Sequence, residues 1–380
     1  MEKKRILVLT DHMPWGHRSI AKAIFNYFKE NGKDLNYEIE YAEIKAETGV
    51  GNDVYTFLCR YMPLSHRIFH KLAATKISME IMQELGKKNI PKLEKEIKKI
   101  KPDLIISCYF LHSWALVDCR KKIRANFKLW TVVTDPWSIN PISFIDECDL
   151  HIVYDEVSEK MTTKHGIKKE KILKTGWWVR PEMYQKIDRQ EARKKLGIYD
   201  DRPVIFVGGG SLGTNSLTNL LPNLIFAKKK VAFIINTGVD KFAYKMVENY
   251  IKVLAKLRKD NVVYIKNMGW IDNMAEVLGA CDMVFGKAGP NFLFDSIACE
   301  KPFVAITHVG GQEDGNIDLI RKKKLGWIKE KNSELIVFLH EYLNDPKYYE
   351  NKFKETIKKE ALNNKGSLKI IFDRVREELG

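Results

Sequence analysis

A histidine near the amino terminus of the chain is placed where a catalytic base could act. His17 follows Gly16 at the point where the apolar run RILVLT passes through DHMPWGH into a helical pattern. Histidine titrates near neutral pH and can take a proton from a hydroxyl group. A helix N-terminus also favours the neutral imidazole that a base requires. We therefore predict that His17 is a general base, with His12 as a less well-placed rival.

A carboxylate follows a later buried strand in the same half of the chain. Asp135 comes directly after KLWTVVT, so the strand pattern places it at a sheet edge. There it could orient His17 or the hydroxyl that His17 activates. The alternative is that Asp135 only starts the turn before Pro136.

A glycine-rich loop opens the second half of the chain. The stretch VIFVGGGSLGTN joins an apolar strand to a helix. Its backbone N–H groups and the helix N-terminus could approach a phosphate group. The spacing differs from both GxGxxG and the P-loop, which argues against a dinucleotide or a kinase-type site. A tight strand–helix turn with no ligand is the alternative.

Polar residues recur between Gly269 and Asn316. Gly289-Pro290 breaks the chain after a buried strand, and Asn291 is predicted to cap the next helix. Asp295, four residues on, shares its face and could accept hydrogen bonds from a ribose diol or complement the helix dipole.

An amide- and acid-rich loop, GGQEDGN, closes this window. It follows the strand PFVAI and holds Gln312, Glu313 and Asn316. Gln and Asn both donate and accept hydrogen bonds, which suits sugar hydroxyls. A solvated loop is the alternative.

The elements that position these residues repeat the same order twice. Short apolar strands alternate with helical patterns, and continuous hydrophobicity is typical of parallel strands covered on both faces. We predict an α/β fold with two Rossmann-like, doubly wound domains facing across a cleft. The predicted units are residues 1–180 (an acceptor and membrane-docking domain), 181–202 (a linker), 203–345 (a donor-binding domain) and 346–380 (a C-terminal helix that could return to the first domain).

Composition restricts the classes of protein. No apolar run reaches the length of a membrane-spanning helix, and six scattered cysteines without a CxxC pair favour reduced thiols. The net charge of +15 is spread over both halves. It suits nucleic acid, an anionic bilayer or a phosphorylated ligand, or it reflects lysine enrichment with no partner at all.

Aromatic and basic residues alternate between Val54 and Met82, which is typical of a segment that lies on an anionic lipid surface. A core helix with a solvated basic side is the alternative. The predicted docking residues are Tyr55, Phe57, Arg60, Tyr61, Arg67, Phe69 and Lys71.

The motifs together resemble one family. The stretches GHRSIAKAI, TDP, TGWWVRPE, GGGSLG, GWIDNM, GKAGPN and GGQEDGN are similar, in this order, to those of the monogalactosyldiacylglycerol synthase and processive diacylglycerol glucosyltransferase family. That family is related to the lipid II N-acetylglucosaminyltransferase. The resemblance implies a GT-B fold and an inverting, metal-independent transfer from a UDP-sugar to a lipid acceptor.

The resemblance also implies roles for individual residues. His17 matches the base, Arg180 the arginine of the linker motif, and Trp270 and Ile271 the backbone slot for uracil. Asp295 matches the ribose-binding acid, and Gln312 and Glu313 the sugar contacts. The glycine loop near the diphosphate is matched by Gly209, Gly210, Ser211 and Gly213.

Three departures from the family pattern bear on specificity. Asp295 stands where the family has glutamate, NPISF replaces a His-Pro-Thr-Trp stretch after TD, and Trp177 and Trp178 replace smaller residues. The sugar and the acceptor therefore do not follow from the resemblance.

The resulting hypothesis is a hexosyltransferase that uses a UDP-sugar, a lipid acceptor of the diacylglycerol type and no metal or other cofactor. We predict a cytoplasmic protein attached peripherally to the inner face of the cell membrane, with an anionic membrane surface but no nucleic acid among its partners. Two alternatives remain: transfer to a polyprenyl-linked precursor, and a non-catalytic binder of nucleotide sugars or nucleic acid.

Overall fold

The structure is a computed structural model that describes residues 3–13, 16–33, 35–47, 70, 72, 75–208, 214–258 and 260–380. The predicted docking residues and the glycine loop, residues 209–213, lie outside these ranges. None of the helices in the described part of the chain combines the length and apolar composition needed to cross a membrane.

The first half builds a six-stranded parallel sheet in the order β2-β1-β3-β4-β5-β6. Its strands are β1 (Lys4–Thr10), β2 (Tyr37–Glu43), β3 (Leu104–Ser107), β4 (Lys128–Val132), β5 (Leu150–Val153) and β6 (Ile172–Lys174). Its helices are α1 (Gly16–Asn31), α2 (Lys76–Lys87), α3 (Ile90–Ile100), α4 (Phe110–Lys122) and α5 (Glu156–Lys164).

The second half builds another six-stranded parallel sheet, in the order β12-β11-β10-β7-β8-β9. Its strands are β7 (Val204–Gly208), β8 (Val231–Asn236), β9 (Val263–Asn267), β10 (Met283–Lys287), β11 (Phe303–Thr307) and β12 (Gly326–Ile328). Between the sheets lies α6 (Arg189–Lys195), and the later helices are α7 (Thr214–Leu224), α8 (Lys241–Leu257), α9 (Met274–Ala280), α10 (Pro290–Ala298), α11 (Asp314–Lys323) and α12 (Asn332–Asn344).

The central strands of both sheets are buried on their two faces, as continuous apolar strands require. Every residue of β3, β5 and β7 is buried, and helices pack on each side. The predicted doubly wound α/β architecture is confirmed. The carboxyl ends of the strands carry the loops in which the candidate site residues stand.

The chain ends in α13 (Pro346–Asn351), α14 (Lys354–Lys365) and α15 (Ser367–Leu379). Phe372 of α15 packs with its ring centroid 5.1 Å from that of Phe28 in α1. Ser367 donates a hydrogen bond of 2.9 Å to the Trp177 carbonyl. The last helices therefore contact the N-terminal domain.

A buried charged cluster ties α11 to the N-terminal domain and to α14. Lys323 Nζ lies 3.0 Å from Asp155 Oδ2, 3.1 Å from Glu360 Oε2 and 2.7 Å from the Tyr154 hydroxyl. The Tyr154 hydroxyl also donates to Glu360. Three parts of the chain thus meet at one cation.

Candidate functional site

His17 lies in the first turn of α1, directly after the loop that leaves β1. Its Nδ1 is 3.4 Å from the Thr134 hydroxyl, and its ring packs 5.0 Å from that of Tyr109 at the end of β3. Burial lowers the pKa of His17 to about 4, so the imidazole is neutral at physiological pH. In the tautomer with its proton on Nδ1, the imidazole donates to Thr134 and Nε2 is the basic nitrogen.

Asp135 is buried and forms a hydrogen bond across the cleft. The contact to His17 comes from the neighbouring Thr134, whereas Asp135 accepts a hydrogen bond from the side chain of Gln312 in the other domain. Burial, together with the nearby Glu313 charge, raises the pKa of Asp135 to about 7. Thr134 is thus one residue that contacts the imidazole, and a role of Asp135 in orienting His17 or the acceptor hydroxyl stays a prediction.

Asn291 joins the two domains beside His17. Its Nδ2 donates to the Gly16 carbonyl at 2.8 Å, and its Oδ1 accepts from the Trp177 indole at 3.1 Å. The predicted N-cap role is wrong, because α10 begins at Pro290 with Gly289 as its N-cap and no side-chain cap. Asn291 is instead committed to contacts across the cleft.

A second cross-domain contact requires a glycine. The Gly315 amide donates to the Ser138 hydroxyl, and a Cβ at Gly315 would lie 2.4 Å from the Trp137 carbonyl carbon. Only a residue without a side chain fits so close to this backbone. Together with the contacts of Asn291 and Gln312, this contact joins the two domains across the cleft.

Arg180 and Asp295, predicted to bind different parts of a donor, contact each other here. Arg180 Nη2 lies 3.1 Å from Asp295 Oδ2 on α10, and Arg180 Nη1 lies 3.7 Å from Glu182. Burial raises the pKa of Asp295 to about 6, while the Arg180 charge acts in the opposite direction. The two side chains form one charged unit beside the second half of α10.

The side chains of the amide- and acid-rich loop lie partly in the cleft and partly in the protein interior. Glu313 is buried: it pairs with Lys287 at the end of β10 and accepts from the Val309 amide at 2.7 Å. Asn316 is buried as well and donates to the Ala288 carbonyl at 2.8 Å. In this structure Glu313 and Asn316 hold the loop in shape, and Gln312 is the member that reaches across the cleft.

The Lys287–Glu313 pair allows a stability test. We expect Lys287→Met to lower the free energy of unfolding by about 3 kcal/mol, since it leaves a buried carboxylate without its cation. Urea denaturation measures the change. Lys194→Met, which breaks an exposed pair with Glu191, is the matched control and is expected to change little. A Lys287→Met variant as stable as the parent would contradict the pairing, and adding Glu313→Gln should restore part of the loss.

His308 anchors the same loop between two carboxylates. Its Nδ1 lies 2.5 Å from Glu330 and its Nε2 3.0 Å from Asp314. The hydrogen bond and charge of Glu330, with those of Asp314, raise the pKa of His308 despite its burial. The imidazolium form is therefore favoured in the folded protein.

This arrangement predicts a pH-dependent contribution to stability. A raised folded-state pKa gives stability that is complete below the unfolded-state pKa and is lost as the pH rises through the folded-state value. We expect His308→Gln to destabilise the protein more at about pH 6 than at about pH 9. Urea midpoints of both proteins at the two pH values measure this; an equal difference at both would show that His308 does not fold as a cation.

The remaining predicted residues take different positions. Trp270 is 67% exposed on the loop after β9, where its indole donates to Asp272 at 2.9 Å, whereas Ile271 is largely buried. Gly289 ends the β10 loop. Among the described residues, no three His, Cys, Asp or Glu side chains form a group that could hold a metal ion. Metal-independent transfer stays a prediction.

Sequence reasoning missed four residues of this site: Thr134, Tyr109, Trp177 as a partner of Asn291, and Lys287. Thr134, Tyr109 and Lys287 each stand at or just past the carboxyl end of a parallel strand. That position is the signal that could have identified them, because ligands of open α/β sheets bind there.

Comparison with family models gives two matches. Residues 17–179 match the monogalactosyldiacylglycerol (MGDG) synthase model, and residues 204–369 match the glycosyltransferase family 28 C-terminal domain. The two matches together span both sheets. The predicted resemblance is thereby confirmed.

Named relatives agree with the models. The chain is 25% identical over 350 residues to the chloroplastic monogalactosyldiacylglycerol synthase of Spinacia oleracea, covering 85% of this chain and 63% of the relative. It is 22% identical to the processive diacylglycerol beta-glucosyltransferase of Bacillus mycoides, covering 91% of this chain and 87% of the relative. The chain thus spans less than two thirds of the length of the spinach relative.

Solved structures share the fold. Anabaena Alr3699/HepE in complex with UDP aligns over 99% of both chains with a TM-score of 0.57 and 14% identity. MurG of Acinetobacter baumannii aligns over 98% of this chain and 99% of that chain with a TM-score of 0.57 and 12% identity. The predicted GT-B architecture is confirmed by this likeness.

Proposed function

We propose that this chain, which joins a monogalactosyldiacylglycerol synthase domain to a glycosyltransferase family 28 C-terminal domain, is an inverting hexosyltransferase. It moves a hexose from a UDP-sugar to a lipid acceptor of the diacylglycerol type at a membrane surface. The observation that carries the proposal is the neutral, buried His17 beside the hydrogen bond from Asn291 to Gly16, where the two domains meet.

The reaction assigned to this cleft is a direct displacement at the anomeric carbon. His17 Nε2 takes the proton of the acceptor hydroxyl as that oxygen attacks, and the bond to UDP breaks on the opposite face. Attack from the opposite face inverts the configuration of the carbon. Thr134 holds the imidazole in the tautomer that presents a basic Nε2.

The leaving UDP carries developing negative charge that must be stabilised. Arg180 supplies a guanidinium held by Asp295 beside the second half of α10, and the N-terminus of α10 adds backbone N–H groups and a favourable dipole. These groups take the place of a divalent metal in the proposal. Asp295 then exchanges its contact with Arg180 for the ribose hydroxyls.

The choice of acceptor rests on relatives rather than on geometry. The Bacillus relative is named a diacylglycerol glucosyltransferase, and the spinach relative a synthase of monogalactosyldiacylglycerol. MurG, by contrast, shares only the fold at 12% identity. A diacylglycerol acceptor is therefore favoured over a polyprenyl-linked one, and with it a peripheral position on the inner face of the cell membrane.

Product analysis tests the proposal. UDP-glucose, UDP-galactose and UDP-N-acetylglucosamine are each incubated with diacylglycerol or with a polyprenyl-diphosphate sugar, with and without EDTA. We expect a β-linked glycosyl-diacylglycerol whose formation EDTA does not reduce. A product only from the polyprenyl acceptor would select the alternative, and an α-linked product would rule out inversion.

A further inference from the structure

Helix α8 presents an unpaired basic face to the outside of the C-terminal domain. Lys241, Lys245, Lys252 and Lys256 are exposed and form no ion pair with any described residue. At 100° per residue, the four lysines fall within about 60° of arc around the helix. The arc lies opposite the buried side chains Ala243, Val247 and Leu254, which face the sheet.

Large apolar side chains border these lysines. Phe242 is 73% exposed, Val253 52% and Leu257 64%, and the three fall within the next stretch of about 60° on the helix. Exposed apolar groups beside a basic stripe are typical of a helix that lies in a lipid interface. The helix has 17 residues, so this face is about 25 Å long.

The end of α7 lies beside the C-terminal end of α8 and is also basic and apolar. Arg258 Nη1 donates to the Ile225 and Ala227 carbonyls at 2.9 and 2.5 Å, which brings the two helix ends together. Phe226 is 60% exposed there. Lys228 and Lys229, which follow it, are exposed and unpaired among the described residues. We call the α8 lysines and apolar residues, with Phe226, Lys228 and Lys229, the α8 face.

The charge balance of this region differs from that of α3. Residues 225–258 contain eight Lys and Arg but only two acids, Asp240 and Glu248. Glu248 is engaged by Asn267 at 3.0 Å. On α3, by contrast, Lys98 and Lys99 pair with glutamates of their own helix.

We propose that the α8 face binds the surface of an anionic phospholipid bilayer. The inference deepens the proposed function and rests on it, because a lipid acceptor brings the enzyme to a membrane. The lysines lie near the phosphate groups, and Phe226, Phe242, Val253 and Leu257 enter the headgroup region. The donor-binding domain then has its own membrane contact, separate from the one predicted for residues 55–71.

Vesicle flotation of the full chain tests the proposal. We compare phosphatidylcholine vesicles with vesicles that also contain phosphatidylglycerol. The triple variant Lys245→Glu/Lys252→Glu/Lys256→Glu is expected to weaken binding to the anionic vesicles at least about tenfold. Its control, Lys354→Glu/Lys358→Glu/Lys359→Glu, changes three exposed lysines of α14 by the same charge and is expected to keep most of the binding.

The apolar part has its own pair of variants. Phe242→Gln/Leu257→Gln should weaken binding, whereas Tyr199→Gln/Val337→Gln, at other exposed apolar positions, should not. Equal losses in each variant and its control would overturn the proposal. It would also be overturned if the α8 variants kept vesicle binding and instead lost self-association on a sizing column. Retained vesicle binding with lost binding to an oligonucleotide would overturn it as well.

A second assay separates this proposal from the proposed function. Transfer to diacylglycerol dispersed in detergent micelles is measured for the same variants. If the α8 variants lose vesicle binding but keep their transfer activity in micelles, the result supports membrane binding by the α8 face. Absence of transfer by the parent protein would count against the proposed function, while the flotation result would still decide the α8 face.

Discussion

Replacing His17 by alanine is expected to reduce kcat for sugar transfer by about 10²- to 10⁴-fold, the usual contribution of a positioned general base. UDP affinity should remain nearly unchanged, because His17 belongs to the N-terminal domain and the proposed donor groups lie on α10 and its neighbours. Steady-state kinetics on micellar acceptor and calorimetric titration with UDP measure the two quantities.

Two variants sharpen this test. His12→Ala removes a histidine that is largely exposed and lies 3.7 Å from Glu43, so it should leave kcat unchanged. Thr134→Val removes the hydroxyl beside Nδ1 and should give a smaller loss than His17→Ala, since the base remains but loses its orientation. Full activity in His17→Ala would refute the assigned role.

The pH dependence gives an independent signature. Burial lowers the pKa of His17 to about 4, so the base stays neutral as the pH falls from neutrality until it approaches that value. As the pH is lowered, kcat/KM should therefore fall through protonation of His17 only at a pH well below the pKa of an ordinary histidine. A limb at the ordinary histidine value would indicate that another group acts as the base.

The parts of the fold that were predictable from sequence are the buried ones. Strands such as β3 and β7 are continuous apolar runs, because helices cover both of their faces. Strand β2 was missed: its sequence YEIEYAE alternates with charges, since it pairs only with β1 at the edge of the sheet. Strand β12 is an edge strand too, with just three residues.

Individual side-chain partners were less predictable than the positions of the elements. His17 was located because its neighbours in sequence mark the start of α1. Sequence spacing does not reveal that Asp135 meets Gln312, or that Asn291 meets Gly16, because these contacts join distant segments after both domains have folded. The buried pairing of Glu313 could not be predicted either, because its partner Lys287 lies 26 residues earlier in the chain.

Replacing Arg180 by alanine is the second substitution for which we expect a large loss of activity. In the proposed reaction the guanidinium stabilises the leaving diphosphate, so its loss should lower kcat/KM for the UDP-sugar by about 10²- to 10³-fold. Unlike His17→Ala, this variant should also weaken UDP binding. Asp295→Asn, which removes the charge but keeps the shape, should mainly raise KM for the donor.

The Arg180–Asp295 contact makes the double variant decisive. If the two residues bind different parts of the donor, their individual losses should multiply in Arg180→Ala/Asp295→Asn, apart from a coupling due to their ion pair. If they only pair with each other, the double variant should be no worse than Arg180→Ala alone.

Stability separates the two cases further, because without Arg180 the pKa of buried Asp295 rises beyond about 6. The destabilisation of Arg180→Ala should then shrink as the pH falls and Asp295 takes up a proton, because a neutral carboxyl group needs no cation beside it.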